Sequence, residues 1–76
     1  MKKERSKKPV GHYLRIARKR QKFTVEQLAR KINMRPRYIE DIENGVLTDI
    51  PDSILYKLAI ALGTTVAALK TGIQNP

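Results

Sequence analysis

Two arginines flank a proline at Arg35-Pro36-Arg37, Tyr38 follows, and three carboxylates come close behind at Glu40, Asp41 and Glu43. A guanidinium can pair bidentately with guanine or hold a phosphate, so this stretch opens with the chemistry of nucleic-acid recognition. The carboxylates have the opposite sense. They repel phosphate, although a carboxylate can accept from cytosine N4 or hold a neighbouring arginine in place. Little else in the 76 residues offers chemistry: His12 is the single histidine, there is no cysteine, and no acid stands at ligand spacing from His12. No metal site or catalytic group can be assembled from that set, so neither an enzyme nor a cofactor is expected. The glycines at 11, 45, 63 and 72 are isolated and read as helix-end residues, which leaves no phosphate-cradling loop.

The charge is unevenly placed. Residues 1–22 hold ten of the 16 lysines and arginines against Glu4 alone, while residues 23–76 balance at six of each sign, so the net +9 is that of the N-terminal block. Lys2, Lys3, Arg5, Lys7 and Lys8 form an arm expected to be disordered, with no apolar residue after Met1. Arg15, Arg18, Lys19 and Arg20 carry the charge on into a helix. Such a block favours a polyanion, nucleic acid before an anionic membrane surface. The arm has no apolar anchor for a bilayer and does not read as a signal peptide. The longest strongly apolar run, LAIALG, is far short of the roughly 20 residues that span a membrane. A cytoplasmic protein is expected.

The positions of these groups depend on the helices that carry them. Val10, Leu14 and Ala17 recur at helical spacing, widened by Tyr13 and Ile16, and predict a first helix over 10–21. Thr24 with Gln27 is a capping-box pattern opening a short helix over 25–32, with Leu28, Ala29 and Ile32 inward. Asn33 stands where the chain must reverse, in a conformation asparagine tolerates. Pro36 suits the start of a third helix over 36–44 with Ile39 and Ile42 inward, stopped by Asn44-Gly45. Pro51 opens a fourth over 52–62, and Thr64 or Thr65 caps a fifth over 65–70 holding Val66 and Leu69. The expectation is an all-α domain over 9–72, between the arm at 1–8 and a tail at 73–76.

Helices two and three have helix-turn-helix spacing. On Thr24, Glu26, Leu28-Ala29, Ile39, Ile42-Glu43-Asn44-Gly45 and Leu58-Ala59-x-Ala61-Leu62-Gly63, the chain resembles the Cro/CI (Xre) family of bacterial and phage repressors. The resemblance covers about residues 11–70. It implies a compact five-helix, lambda-repressor-like domain whose third helix enters the major groove of double-stranded DNA as a transcriptional regulator. It places Pro36, Arg37 and Asp41 towards the bases. Arg35, Tyr38 and Asn44 fall near the sugar-phosphate backbone, with Thr24 at the start of the second helix among the contact residues. It also implies an ion pair between Arg18 and Glu43, which would make Glu43 structural. A homodimer is expected, which need not form until DNA is bound, with no small-molecule ligand.

A second resemblance keeps an alternative open. Where the repressors often have glutamine after the Thr24 position, this chain has Val25. That residue, the R-x-x-Y-I-E core and the loop Leu47-x-x-Ile50-Pro51 are similar to the RodZ N-terminal domain, a helix-turn-helix that docks on a cytoskeletal protein and not on DNA. The segment DSILYKLAIALG follows the shorter repressor pattern.

Overall fold

The computed structural model describes residues 9–72, which contain five helices and no strand. They are α1 (Val10–Arg20), α2 (Val25–Lys31), α3 (Pro36–Glu43), α4 (Asp52–Leu62) and α5 (Val66–Thr71). Each lies within a residue or two of its expected span. The arm at 1–8 and the tail at 73–76 lie outside the described residues.

Local chemistry explains the boundaries. Thr24 Oγ1 accepts from the Gln27 N–H at 3.0 Å while the Gln27 side chain accepts from the Thr24 N–H at 2.8 Å, a complete capping box. Thr65, of the two candidate threonines, caps α5 by accepting from the Ala68 N–H at 3.0 Å. The first four helices close alike. A residue in the left-handed region stands at the cap in α4 and just after it in the other three, and two N–H groups reach back to the last free carbonyls, the Schellman arrangement. The left-handed residues are Lys22, Asn33, Gly45 and Gly63, with φ of 61°, 59°, 80° and 67°. Asn33 was legible as such a residue; Lys22 was not, because lysine carries no sequence preference for that conformation.

Leu14, Leu28, Ile39, Ile42, Leu55, Leu58 and Leu69 are fully buried and form the centre of one core. Helix α2 packs on α3, and α1 lies across both α3 and α5. One expectation needs correction and another needs extending. Ile16 widens the sequence stripe but is 41% exposed, since α1 turns Leu14 and Ala17 inward and leaves Ile16 on the rim of an open groove facing α5. Gly11 does stand at a helix end, but it is more than punctuation. It is buried in the first turn of α1, where a Cβ would collide with the Ile42 carbonyl oxygen and lie 2.9 Å from Glu43 Cα. Glycine there lets the backbones of α1 and α3 touch.

Candidate nucleic-acid interface

Helix α3 is charged against its own dipole. Its first turn holds no acid and its last turn no base; Arg35 and Arg37 stand at the N-terminal end, Glu40, Asp41 and Glu43 towards the C-terminal end. A helix N-terminus carries partial positive charge and favours anions, so each misplaced charge forgoes about 0.3–1 kcal/mol. That arrangement is unfavourable for an isolated helix and favourable for one whose N-terminal end meets a polyanion.

The C-terminal end is neutralised from α1. Arg18 donates from Nε to Glu43 Oε2 at 2.6 Å and from Nη2 to Oε1 at 2.9 Å, while its Nη1 donates to the Phe23 carbonyl at 2.8 Å. The Glu43 side chain is 4% exposed and that of Arg18 12%. The hydrogen bond to Glu43 raises the Arg18 pKa above its ordinary value despite burial, so Arg18 stays charged. Arg15, one turn earlier, joins the same carboxylate from Nε at 3.2 Å and donates from Nη2 to Asn44 Oδ1 at 3.2 Å. Sequence reading missed this role of Arg15. Its position three residues before Arg18, on the same side of α1, was the available signal. Glu43 is thus enclosed by two guanidinium groups and presents little negative charge to solvent.

The N-terminal face of α3 is open. Arg35 occupies the N-cap without a side-chain hydrogen bond to the helix, Pro36 follows at the first helical position, and both are exposed. The Arg37 side chain is 80% exposed, and its Nε donates to Asp41 Oδ1 at 3.2 Å, one turn along the helix. Tyr38 is half-buried against the core, leaving Asn44 exposed at the far end. Thr24 is exposed at the start of α2. Its oxygen is engaged as an acceptor in the capping box, and its hydroxyl hydrogen can still be donated. Val25 is half-buried and packs against the core, an apolar brace in place of a polar one. Among the described residues no group of three or more metal-ligating side chains comes together, and no helix is long and apolar enough to cross a membrane.

Two short helices joined by a left-handed asparagine, the second presenting arginines on an open face, define a helix-turn-helix DNA-binding domain of the regulator type. The helix-turn-helix family model (HTH_3) matches residues 14–69, and the chain belongs to that family. Solved structures agree. SinR of Bacillus subtilis, a master regulator for biofilm formation, in complex with DNA, matches with a TM-score of 0.76 at 25% identity over 79% of this chain and 95% of that one. The hypothetical transcription factor NHTF from Neisseria matches with a TM-score of 0.75 at 26% identity, over 80% and 69% of the two chains. The clp gene regulator ClgR from C. glutamicum matches with a TM-score of 0.73 at 28% identity, over 79% and 77%. Comparison with curated proteins returned no match. None of these findings supports the protein-docking alternative.

Proposed function

We propose that the chain is a cytoplasmic transcriptional regulator, not an enzyme, that sets α3 in the major groove of a defined DNA site. Arg37 reads guanine. Its Nε is held by Asp41, which leaves the two terminal nitrogens as a paired donor edge matched to O6 and N7, worth about 1–3 kcal/mol of discrimination. Pro36 lies against the base edges, and Asp41 both aims Arg37 and bars the neighbouring position to phosphate. Arg35, Tyr38, Asn44 and the Thr24 hydroxyl hold the sugar-phosphate backbone. The arm residues Lys2, Lys3, Arg5, Lys7 and Lys8 add sequence-independent attraction.

The braced, exposed Arg37 at the N-terminal end of α3 carries this reading. A surface arginine serving only stability would be expected to sit where it helps the helix dipole; this one opposes it. One module makes few base contacts, so the working form is a two-fold dimer on a near-palindrome, with half-sites about 34 Å apart and contact through α5 and the tail. Selection of bound duplexes from a random pool, followed by binding against salt, tests the whole reading. The expected result is an enriched palindrome with a guanine at one position of each half-site. A pool that returns no enriched sequence, with binding that vanishes uniformly at physiological salt, overturns it in favour of a protein partner.

A further inference from the structure

We infer that Arg15 is a positioning residue for DNA contact, acting through Asn44. The inference rests on the DNA-binding reading and deepens it. An asparagine carboxamide has one accepting and one donating end, and a free side chain can present either. Here Arg15 Nη2 donates to Asn44 Oδ1 at 3.2 Å, which assigns the oxygen to the protein and turns the Nδ2 hydrogens away from it. Among the described residues nothing accepts from Nδ2, and Asn44 is exposed at the end of α3. The amide is therefore held with its donor end outward, the end a phosphate oxygen takes.

Arg15 is itself held. Its Nε is fixed on Glu43 Oε1 at 3.2 Å, and Glu43 is fixed in turn by the two bonds from Arg18. The chain Arg18–Glu43–Arg15–Asn44 thus runs from a largely buried anchor to a surface donor, and each link limits the freedom of the next. Lysine cannot replace Arg15 in this, because a single ammonium lacks the planar fork that reaches Glu43 and Asn44 together. Arg18 keeps Glu43 paired when Arg15 is changed, so the fold should survive.

The test measures binding of the full chain to its selected duplex by fluorescence anisotropy over a range of salt. Arg15→Lys keeps the charge and loses the fork. It should weaken binding about three- to tenfold per half-site, the scale of one hydrogen bond, with the salt slope unchanged, since a neutral amide displaces no counterion. Asn44→Ala should weaken binding by a similar factor, and adding Arg15→Lys to it should cause no further weakening. If Arg15 touched phosphate directly, lysine would rescue binding, Arg15→Met would flatten the salt slope by about 0.9, and the effects of the two substitutions would multiply; any of these overturns the inference. A melting temperature that falls in Arg15→Lys with no change in affinity also overturns it, by making the role purely structural. A second measurement needs no variant: the Asn44 side-chain amide resonances of the parent should move when duplex is added, and unmoved resonances overturn the proposal. A parent that binds no duplex removes the DNA reading itself; a parent that binds no better than Arg15→Lys removes only the role of Arg15.

Discussion

Arg18 and Glu43, 25 positions apart, are joined by two near-parallel hydrogen bonds of 2.6 and 2.9 Å that tie α1 to the end of α3. The pair lies at the seam of the two helices, with little surface left to water on either side chain. Its strength is therefore nearer that of an interior pair than of a surface one.

Glu43→Ala should lower stability by about 3–5 kcal/mol, because Arg18 and Arg15 are left facing each other without their shared carboxylate. Urea unfolding followed by circular dichroism measures this, and a midpoint equal to that of the parent would contradict it. The pH dependence has a definite sign. The Arg18 pKa is raised in the folded state, so its contribution is complete below the unfolded value and is lost only as pH climbs through the folded one. That window lies in strong alkali. Arg18 should add no slope to stability at neutral or mildly alkaline pH.

Gly11→Ala should destabilise the domain by about 1–3 kcal/mol or more, since the added methyl meets backbone of α3 and not a side chain that can turn aside. Gly45→Ala gives a contrast. Nothing lies within 4 Å of its Cβ position, so only the left-handed φ of 80° opposes the substitution, at a cost of about 1–2 kcal/mol. Gly11→Ala should also weaken DNA binding per folded molecule, because α3 must shift to admit it. Chemical unfolding of the two variants beside the parent measures the difference.

Lys22→Gly should stabilise by about 0.5–1 kcal/mol. Relief of the left-handed strain at φ 61° exceeds the added freedom of glycine in the unfolded chain. Lys22→Val should destabilise. Thermal melts of the two variants in high salt, where the missing charge matters least, decide between them.

Arg37→Ala and deletion of residues 1–8 should separate reading from attraction. The first should relax preference at one base position, at about 1–3 kcal/mol per half-site. The second should weaken binding to all duplexes alike and flatten the salt dependence by about 0.9 for each phosphate that the arm no longer neutralises. Asp41→Asn, which loosens the brace on Arg37, should alter base preference without abolishing binding. Titrations against the selected duplex and its single-base variants check all three.

The fold was legible because its punctuation is chemical. Thr24 with Gln27, Pro36, Asn33 and Gly45 each have one local structural use, and each is found in it. Spacing sets Arg37 and Asp41 one turn apart on the face opposite Ile39 and Ile42, close enough to pair, and the structure joins them; only the resemblance turns that face towards bases. Two features escaped. Lys22 adopts its conformation because the chain between α1 and α2 requires it, a tertiary demand that lysine does not advertise. Gly11 was legible only as a helix-end residue, since a close approach of two distant backbones leaves no trace near it in sequence.

That backbone contact works at a distance. Gly11 rests on Ile42 and Glu43, so the described chain, which begins at Pro9, meets the end of α3 two residues later. A change made at Gly11, where the domain begins, is therefore felt at Ile42 and Glu43, at the far end of a helix that starts only at Pro36.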